Sequence, residues 1–166
     1  MCWGGRVPKD HLRVEAYGTL DELCAFLGLA KSLIRERKTK NIIECLQKDL
    51  FVICAELATK SAFLRKLKRR INKIDVSRLE RIILDLEKKR TFKQPCFYLP
   101  GENIISSNLD IARTIARRAE RHTVSLKRKG LLLNPSIIVY LNRLSDLLYL
   151  LARAYEKKPK KLKSAR

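Results

Sequence analysis

The stretch Asn134-Pro-Ser-Ile-Ile-Val-Tyr140-Leu-Asn142-Arg143-Leu-Ser-Asp146-Leu-Leu-Tyr149-Leu-Leu-Ala-Arg153 decides the fold class of this 166-residue chain. Asn134 is a good N-cap residue and Pro135 suits the first helical position, where its missing N–H costs nothing. Leu141, Leu144, Leu148, Leu151 and Tyr155 then recur at helical spacing and form one apolar stripe. The pattern predicts a helix that ends near Lys158, before Pro159. Glycine and proline punctuate the rest of the chain in the same way: neither occurs between Gly28 and Pro95, between Gly101 and Gly130, or between Pro135 and Pro159.

Working outward, four more helices are expected, giving an all-α five-helix bundle. The first starts near Thr19, with Thr19-x-x-Glu22 as a capping box, and runs to about Arg37 with Leu20, Leu23, Leu27, Ala30 and Ile34 inward. The second covers about 40–59, with Ile43, Leu46, Leu50, Ile53 and Leu57 inward. A basic connector, Arg65-Lys-Leu-Lys-Arg-Arg70, is expected to be partly helical. The third runs from about Val76 to Lys89, capped by Asp75 or Ser77, with Leu79, Ile82, Ile83 and Leu86 inward. Gln94-Pro-Cys-Phe-Tyr-Leu-Pro-Gly101 is irregular and should hold Phe97 and Tyr98 outside any helix. The fourth starts near Ser107, with Ser107-x-x-Asp110 as its box, and continues to about Arg128.

Charge is the extreme feature of the composition: 37 Lys plus Arg face 17 Asp plus Glu, a formal net charge of +20. Six of the positive charges lie in residues 157–166, and removing them from +20 leaves +14 for the body. We read residues 1–156 as one helical domain and 157–166 as a basic tail. Such a field attracts nucleotides, nucleic acids or acidic membrane without choosing among them. The 46% apolar content argues against a disordered chain. Five cysteines without a CxxC pair and only two histidines argue against zinc, and no metal held directly by protein ligands is expected. Cys45 and Cys54 read as core thiols. No signal peptide or spanning apolar run appears, so the expected setting is cytoplasmic, with no membrane partner.

The fourth helix carries the most pointed chemistry, in Arg113-Thr-Ile-Ala-Arg117-Arg118-Ala-Glu120-Arg121. Arg113, Arg117 and either Glu120 or Arg121 share a face, and guanidinium forks grip phosphate oxygens bidentately. Ala112, Ile115, Ala116 and Ala119 form a separate small-residue face on which a neighbouring helix can sit close. Solvated Glu–Arg pairing is the bland alternative. On the fifth helix Asn142, Asp146 and Arg153 share a face beside the leucine stripe. A purely structural Asp146–Arg143 or Asp146–Arg153 network is the competing reading there. Phe97 and Tyr98 suit a plug at the end of the bundle, Asp21-Glu22 a helix N-terminus, and His122 ordinary surface packing.

Taken in order, these residues resemble the ATP:cob(I)alamin adenosyltransferase family of the propanediol-utilisation type. The matching blocks are Gly5-Arg-Val-Pro-Lys9-Asp10, Arg13-Val-Glu-Ala-Tyr-Gly-Thr-Leu-Asp21-Glu22-Leu23, Phe97-Tyr-Leu-Pro-Gly101, Ala112 to Arg121, Asn134-Pro135 and Leu141-Asn-Arg-Leu-Ser-Asp146. The resemblance implies a homotrimer with sites between subunits, moving the 5′-deoxyadenosyl group of ATP onto the cobalt of cob(I)alamin with release of triphosphate. It implies that Lys9, Arg117, Arg118, Glu120, Arg121 and Asn142 bind ATP with Mg2+, and that Arg113 pairs with Asp21 across the subunit boundary. Phe97 would stand over the lower corrin face and Asp146 would organise the base of the site. Co(I) is itself the nucleophile, so fixed arginines that stabilise the leaving group suffice. A reductase and a B12-dependent enzyme are the implied protein partners.

Three departures stand out. The family's Thr-Gly-Asp-x-Gly-x-Thr-type phosphate segment is absent, as expected of a truncated product with a misassigned start codon, the favoured reading, or of a member that has lost part of its nucleotide loop. Cys24 replaces an asparagine common after Asp-Glu-Leu, and Glu102 replaces a second glycine. Two other function classes are weighed: a non-catalytic ATP or cobalamin sensor, and a basic nucleic-acid-binding helical protein. The second is disfavoured by only 7% aromatic residues and the lack of a nucleic-acid motif.

Overall fold

Arg13 shows how the bundle is tied together. Its side chain is buried, donating from Nη1 to the Leu57 carbonyl and from Nη2 to the Leu131 carbonyl, each at 2.7 Å. One guanidinium thereby joins the start of the first helix to the end of the second and to the loop between the last two. Burial lowers its pKa from the ordinary arginine value.

The computed structural model describes residues 5–89, 98–157 and 160. Among them the elements are α1 (Leu12–Leu33), α2 (Arg37–Leu57), a 3-10 helix (Ser61–Lys66), α3 (Lys73–Lys89), α4 (Ile104–Arg128) and α5 (Ser136–Ala154). The helices number six rather than five, because the basic connector begins with the 3-10 turn and then runs extended. α1 packs on α2 and α4, and α5 packs on α4 and α3. Cross-helix bonds give the directions. Gln47 reaches the Cys24 carbonyl while Cys54 reaches that of Tyr17, so α1 and α2 are antiparallel. Asn142–Glu120 and Arg153–Asp110 do the same for α5 and α4.

The inward stripes of α1 and α2 are buried throughout, as are Leu141, Leu144, Leu148 and Leu151 of α5. Ala112, Ala116 and Ala119 are wholly buried, and their small side chains let α4 lie close to its neighbours. On α3 the stripe is shallower, with Ile82 and Leu86 only half-buried. Cys45 is exposed and Cys54 half-buried, so neither is a fully buried core thiol. Burial still pushes the Cys54 thiol up to about 12.

The helix starts differ from expectation. α1 begins seven residues before Thr19, with His11 Nδ1 accepting from the Arg13 N–H at 3.1 Å. Thr19 is interior, its hydroxyl donating to the Glu15 carbonyl, and Gly18 lies within the helix. α4 begins at Ile104 under a reciprocal box between Asn103 and Ser106, while the Ser107 hydroxyl donates back to the Asn103 carbonyl. α3 starts three residues early, with Asn72 Oδ1 accepting from the Ile74 N–H and Asp75 Oδ2 from the Asn72 N–H. At α5 Asn134 accepts from the Ser136 N–H, so its capping role holds with the boundary moved by a residue. α5 ends at Ala154 rather than near Lys158, which lies outside the described residues, as does most of the basic tail.

Ionic hubs fix the connector and α3. Asp49, 2% exposed, accepts from Arg69 (2.9 Å), Arg78 and the buried Tyr140 hydroxyl (2.7 Å). Glu56 accepts from Arg70 at 3.0 Å, the Ile71 N–H at 2.6 Å and Asn134 Nδ2 at 2.9 Å. Each buried carboxylate is thus fully hydrogen-bonded, which is what makes its burial tolerable.

Candidate functional site

Ridge geometry on α4 sends Arg113, Arg117, Glu120 and Arg121 toward one side, and α5 runs beside them. Two open grooves result. The first, about 470 Å3, is lined by Arg117, Glu120, Arg121, Val124, Ser125, Arg128 and Asn142. The second, about 600 Å3, lies among α3, α4 and α5, and its lining includes Ile83, Leu84, Glu87, Arg113, Arg117, Arg143, Asp146 and Tyr149. Arg117 borders both.

The arginines of α4 and α5 divide cleanly. Arg113 pairs with Asp110 at 3.2 Å, Arg118 with Glu22, Arg143 with Asp146 at 3.1 Å, and Arg153 with Asp110 and Glu156. Arg117, Arg121 and Arg128 make no ion pair among the described residues, and all three line the first groove. The single carboxylate in that groove, Glu120, accepts from Asn142 Nδ2 at 3.2 Å. The first groove therefore presents uncompensated guanidinium groups beside an oriented amide, a setting for a polyanion.

The second groove differs. Apart from the shared Arg117, its arginines are neutralised within the chain, and its floor carries Ile83, Leu84, Leu150 and the Tyr149 ring. Tyr149 is held under the buried Arg153 guanidinium, 5.4 Å from the ring centre. Burial raises its phenol pKa, partly opposed by Arg153. Tyr98 is the residue after Phe97, which itself lies outside the described residues, as do Trp3 and Gly4. Leu99 N–H donates to the Lys160 carbonyl, Glu102 accepts from the Lys157 N–H and Asn103 donates to the Tyr155 carbonyl. The chain following Phe97 is thus fastened to the C-terminal end of α5.

The remaining expected site residues are dispersed. Arg118 turns toward α1 to meet Glu22. Lys9 is exposed in the stretch before α1, and Asp21 is exposed on α1. Within this chain Arg113 pairs with Asp110, not Asp21. His122 lies 3.8 Å from Glu15, an ordinary packing position. Asp146 pairs with Arg143, while Arg153, on the same face of α5, reaches Asp110 in the interior. Among the described residues no cluster of three or more His, Cys, Asp or Glu could hold a metal ion, and no helix is long and apolar enough to cross a membrane. The α3 wall, with Leu84 and Glu87, escaped the sequence reading. It is a product of helix packing and has no local motif.

A family model described as cobalamin adenosyltransferase matches residues 1–155. A corrinoid adenosyltransferase of Citrobacter freundii is 40% identical over 156 residues, covering 94% of this chain and 88% of that relative. The corrinoid adenosyltransferase PduO of Salmonella typhimurium is 43% identical over 151 residues, 91% of this chain but only 44% of that longer protein. Among solved structures, a PduO-type variant from Lactobacillus reuteri complexed with ATP aligns with TM-score 0.87 and 31% identity, covering 96% of this chain and 92% of that one. Another variant of PduO type from the same organism, complexed with cobalamin and ATP, aligns with TM-score 0.84 and 32% identity over 94% and 87%.

Proposed function

From the premise that this chain belongs to the cobalamin adenosyltransferase family, we propose that its two grooves divide the substrates of one reaction, the polyphosphate of ATP in the first and the corrin in the second. The activity is transfer of the 5′-deoxyadenosyl group of ATP to the cobalt of cobalamin. The observation that carries the site reading is the junction at Arg117, where a groove of unpaired arginines meets one with an apolar floor.

In the reaction the Co(I) electron pair forms the bond to C5′, the C5′–O bond breaks, and its electrons leave with triphosphate. No general base is required. What the chain supplies is position and charge: Arg117 and Arg121 stabilise the negative charge that builds on the leaving group. Asn142 orients Glu120 beside the triphosphate that carries Mg2+; Lys9 and Arg118, which do not line the first groove within this chain, would join the phosphate set across a subunit boundary. Asp146, held by Arg143, shapes the base of the corrin side, and the family resemblance would assign Phe97 to the lower corrin face.

The active unit is a homotrimer with sites between subunits, in which Arg113 exchanges Asp110 for Asp21 of an adjacent copy. Exposed Asp21, with no ion pair of its own among the described residues, supports this arrangement. Three free thiols among the described residues suit a reducing cytoplasm, where a reductase supplies the cobalt electrons and a B12-dependent enzyme takes the product.

The test is anaerobic turnover of the full chain with chemically reduced cobalamin, ATP and Mg2+, following adenosylcobalamin and triphosphate together. Equal appearance of both supports the reading. Binding of ATP and cobalamin without either product would replace it with a sensor role.

A further inference from the structure

We infer that Arg128, at the end of α4, reads the terminal phosphate of the nucleotide and so sets the preference for a triphosphate donor; this rests on the reading of the first groove as the ATP site. Three observations lead there. Arg128 lines that groove with Arg117 and Arg121. Like them it has no ion pair among the described residues, whereas the other four arginines of α4 and α5 are each paired with a carboxylate. And the three lie in line along one helix: Arg121 stands about 6 Å beyond Arg117 along the axis, and Arg128 about 10.5 Å beyond Arg121.

The direction of the bound chain follows from the junction. The reacting carbon must face the corrin groove, which begins at Arg117. The phosphate ester that breaks is therefore nearest Arg117, and each successive phosphate lies farther along α4. The far end meets Arg128, whose long side chain can fold back along the groove. A diphosphate stops short of it.

A competing explanation is that Arg128 merely complements the negative end of the α4 dipole. Lys127 separates the two. It occupies the same last turn, carries the same charge and is exposed, but it does not line the groove. General attraction for anions would be lost equally from Lys127→Gln and Arg128→Gln.

The experiment measures competitive inhibition of the full-length enzyme by inorganic triphosphate and by pyrophosphate, in wild type, Arg128→Gln, Lys127→Gln and Arg117→Gln, with melting curves for each. Arg128→Gln should raise the inhibition constant of triphosphate and the KM for ATP about tenfold, as expected for loss of one charge-assisted contact. It should leave the pyrophosphate constant, the cobalamin KM and the melting curve where they were, and Lys127→Gln should change none of them. The inference is overturned if Arg128→Gln leaves triphosphate inhibition unaltered, or raises both constants together, or is matched by Lys127→Gln. Arg117→Gln tells that failure from failure of the site itself: it should weaken both inhibitors, and if it weakens neither, the first groove is not the polyphosphate site and both readings fall.

Discussion

The two grooves are built from the same pair of helices and share Arg117, yet they treat charge in opposite ways. In the first, Arg117, Arg121 and Arg128 stand without carboxylate partners, and the one acid, Glu120, is held by Asn142. In the second, Arg113 and Arg143 are each matched by an aspartate within a turn, and the floor is Ile83, Leu84 and Tyr149. A highly charged ligand needs the first arrangement, because unpaired guanidiniums gain partners only when it arrives. A large, partly apolar ligand needs the second, because covering an unpaired charge is costly. The difference teaches that an arginine's partners say more about its role than its presence in a motif does.

The largest expected effect comes from the shared residue. Arg117→Gln should lower kcat/KM about a hundredfold, the scale of losing one stabilising donor. Its melting curve should match wild type, since Arg117 is exposed and unpaired. Next, Asn142→Ala frees Glu120 and should raise the KM for ATP about tenfold, leaving the KM for cobalamin unaltered. Leu84→Glu should do the reverse, raising the cobalamin KM several-fold, about the worth of one partly covered leucine side chain, without moving that of ATP. If either variant shifts both constants together, the division between grooves fails.

The smallest effect concerns the interior that supports the second groove. Burial raises the pKa of Glu156, partly opposed by Arg153. A carboxyl whose folded pKa is raised favours the folded state while protonated, and that stability is lost as pH rises from the ordinary carboxylate range through the folded value. Glu156→Gln should therefore melt slightly above wild type at neutral pH and converge with it below about pH 4, because Arg153 keeps Asp110. Thermal melts across that range check the sign.

Much of this was legible in the residues. The apolar stripes of α1, α2 and α5 were read correctly because a buried stripe repeats every turn and the glycine and proline gaps delimit it. Helix starts were not. Thr19 looked like a cap, but α1 runs through Gly18 and is already tied at Arg13 to two distant carbonyls, tertiary bonds that outweigh the cost of about 1 kcal/mol for a helical glycine. At α4 the first residue, Ile104, is 64% exposed, so the apolar period gave no warning that Asn103 was the cap. In the site, the arginines and Asn142 were visible as a helical face. Which of them are already satisfied was only partly visible: Asp110 lies one turn from Arg113, but Glu22 reaches Arg118, Asp110 reaches Arg153 and Glu120 meets Asn142 only after α1, α4 and α5 pack. The α3 wall was likewise invisible until α3 met α5.

The most direct measurement is a crystal structure of this chain with ATP and Mg2+. The triphosphate is expected along α4 from Arg117 past Arg121, its far end toward Arg128, with Glu120 and Asn142 at its side and the ribose turned toward the apolar groove. A triphosphate bound among α3, α4 and α5, or away from α4 altogether, would contradict the division of labour between the two grooves.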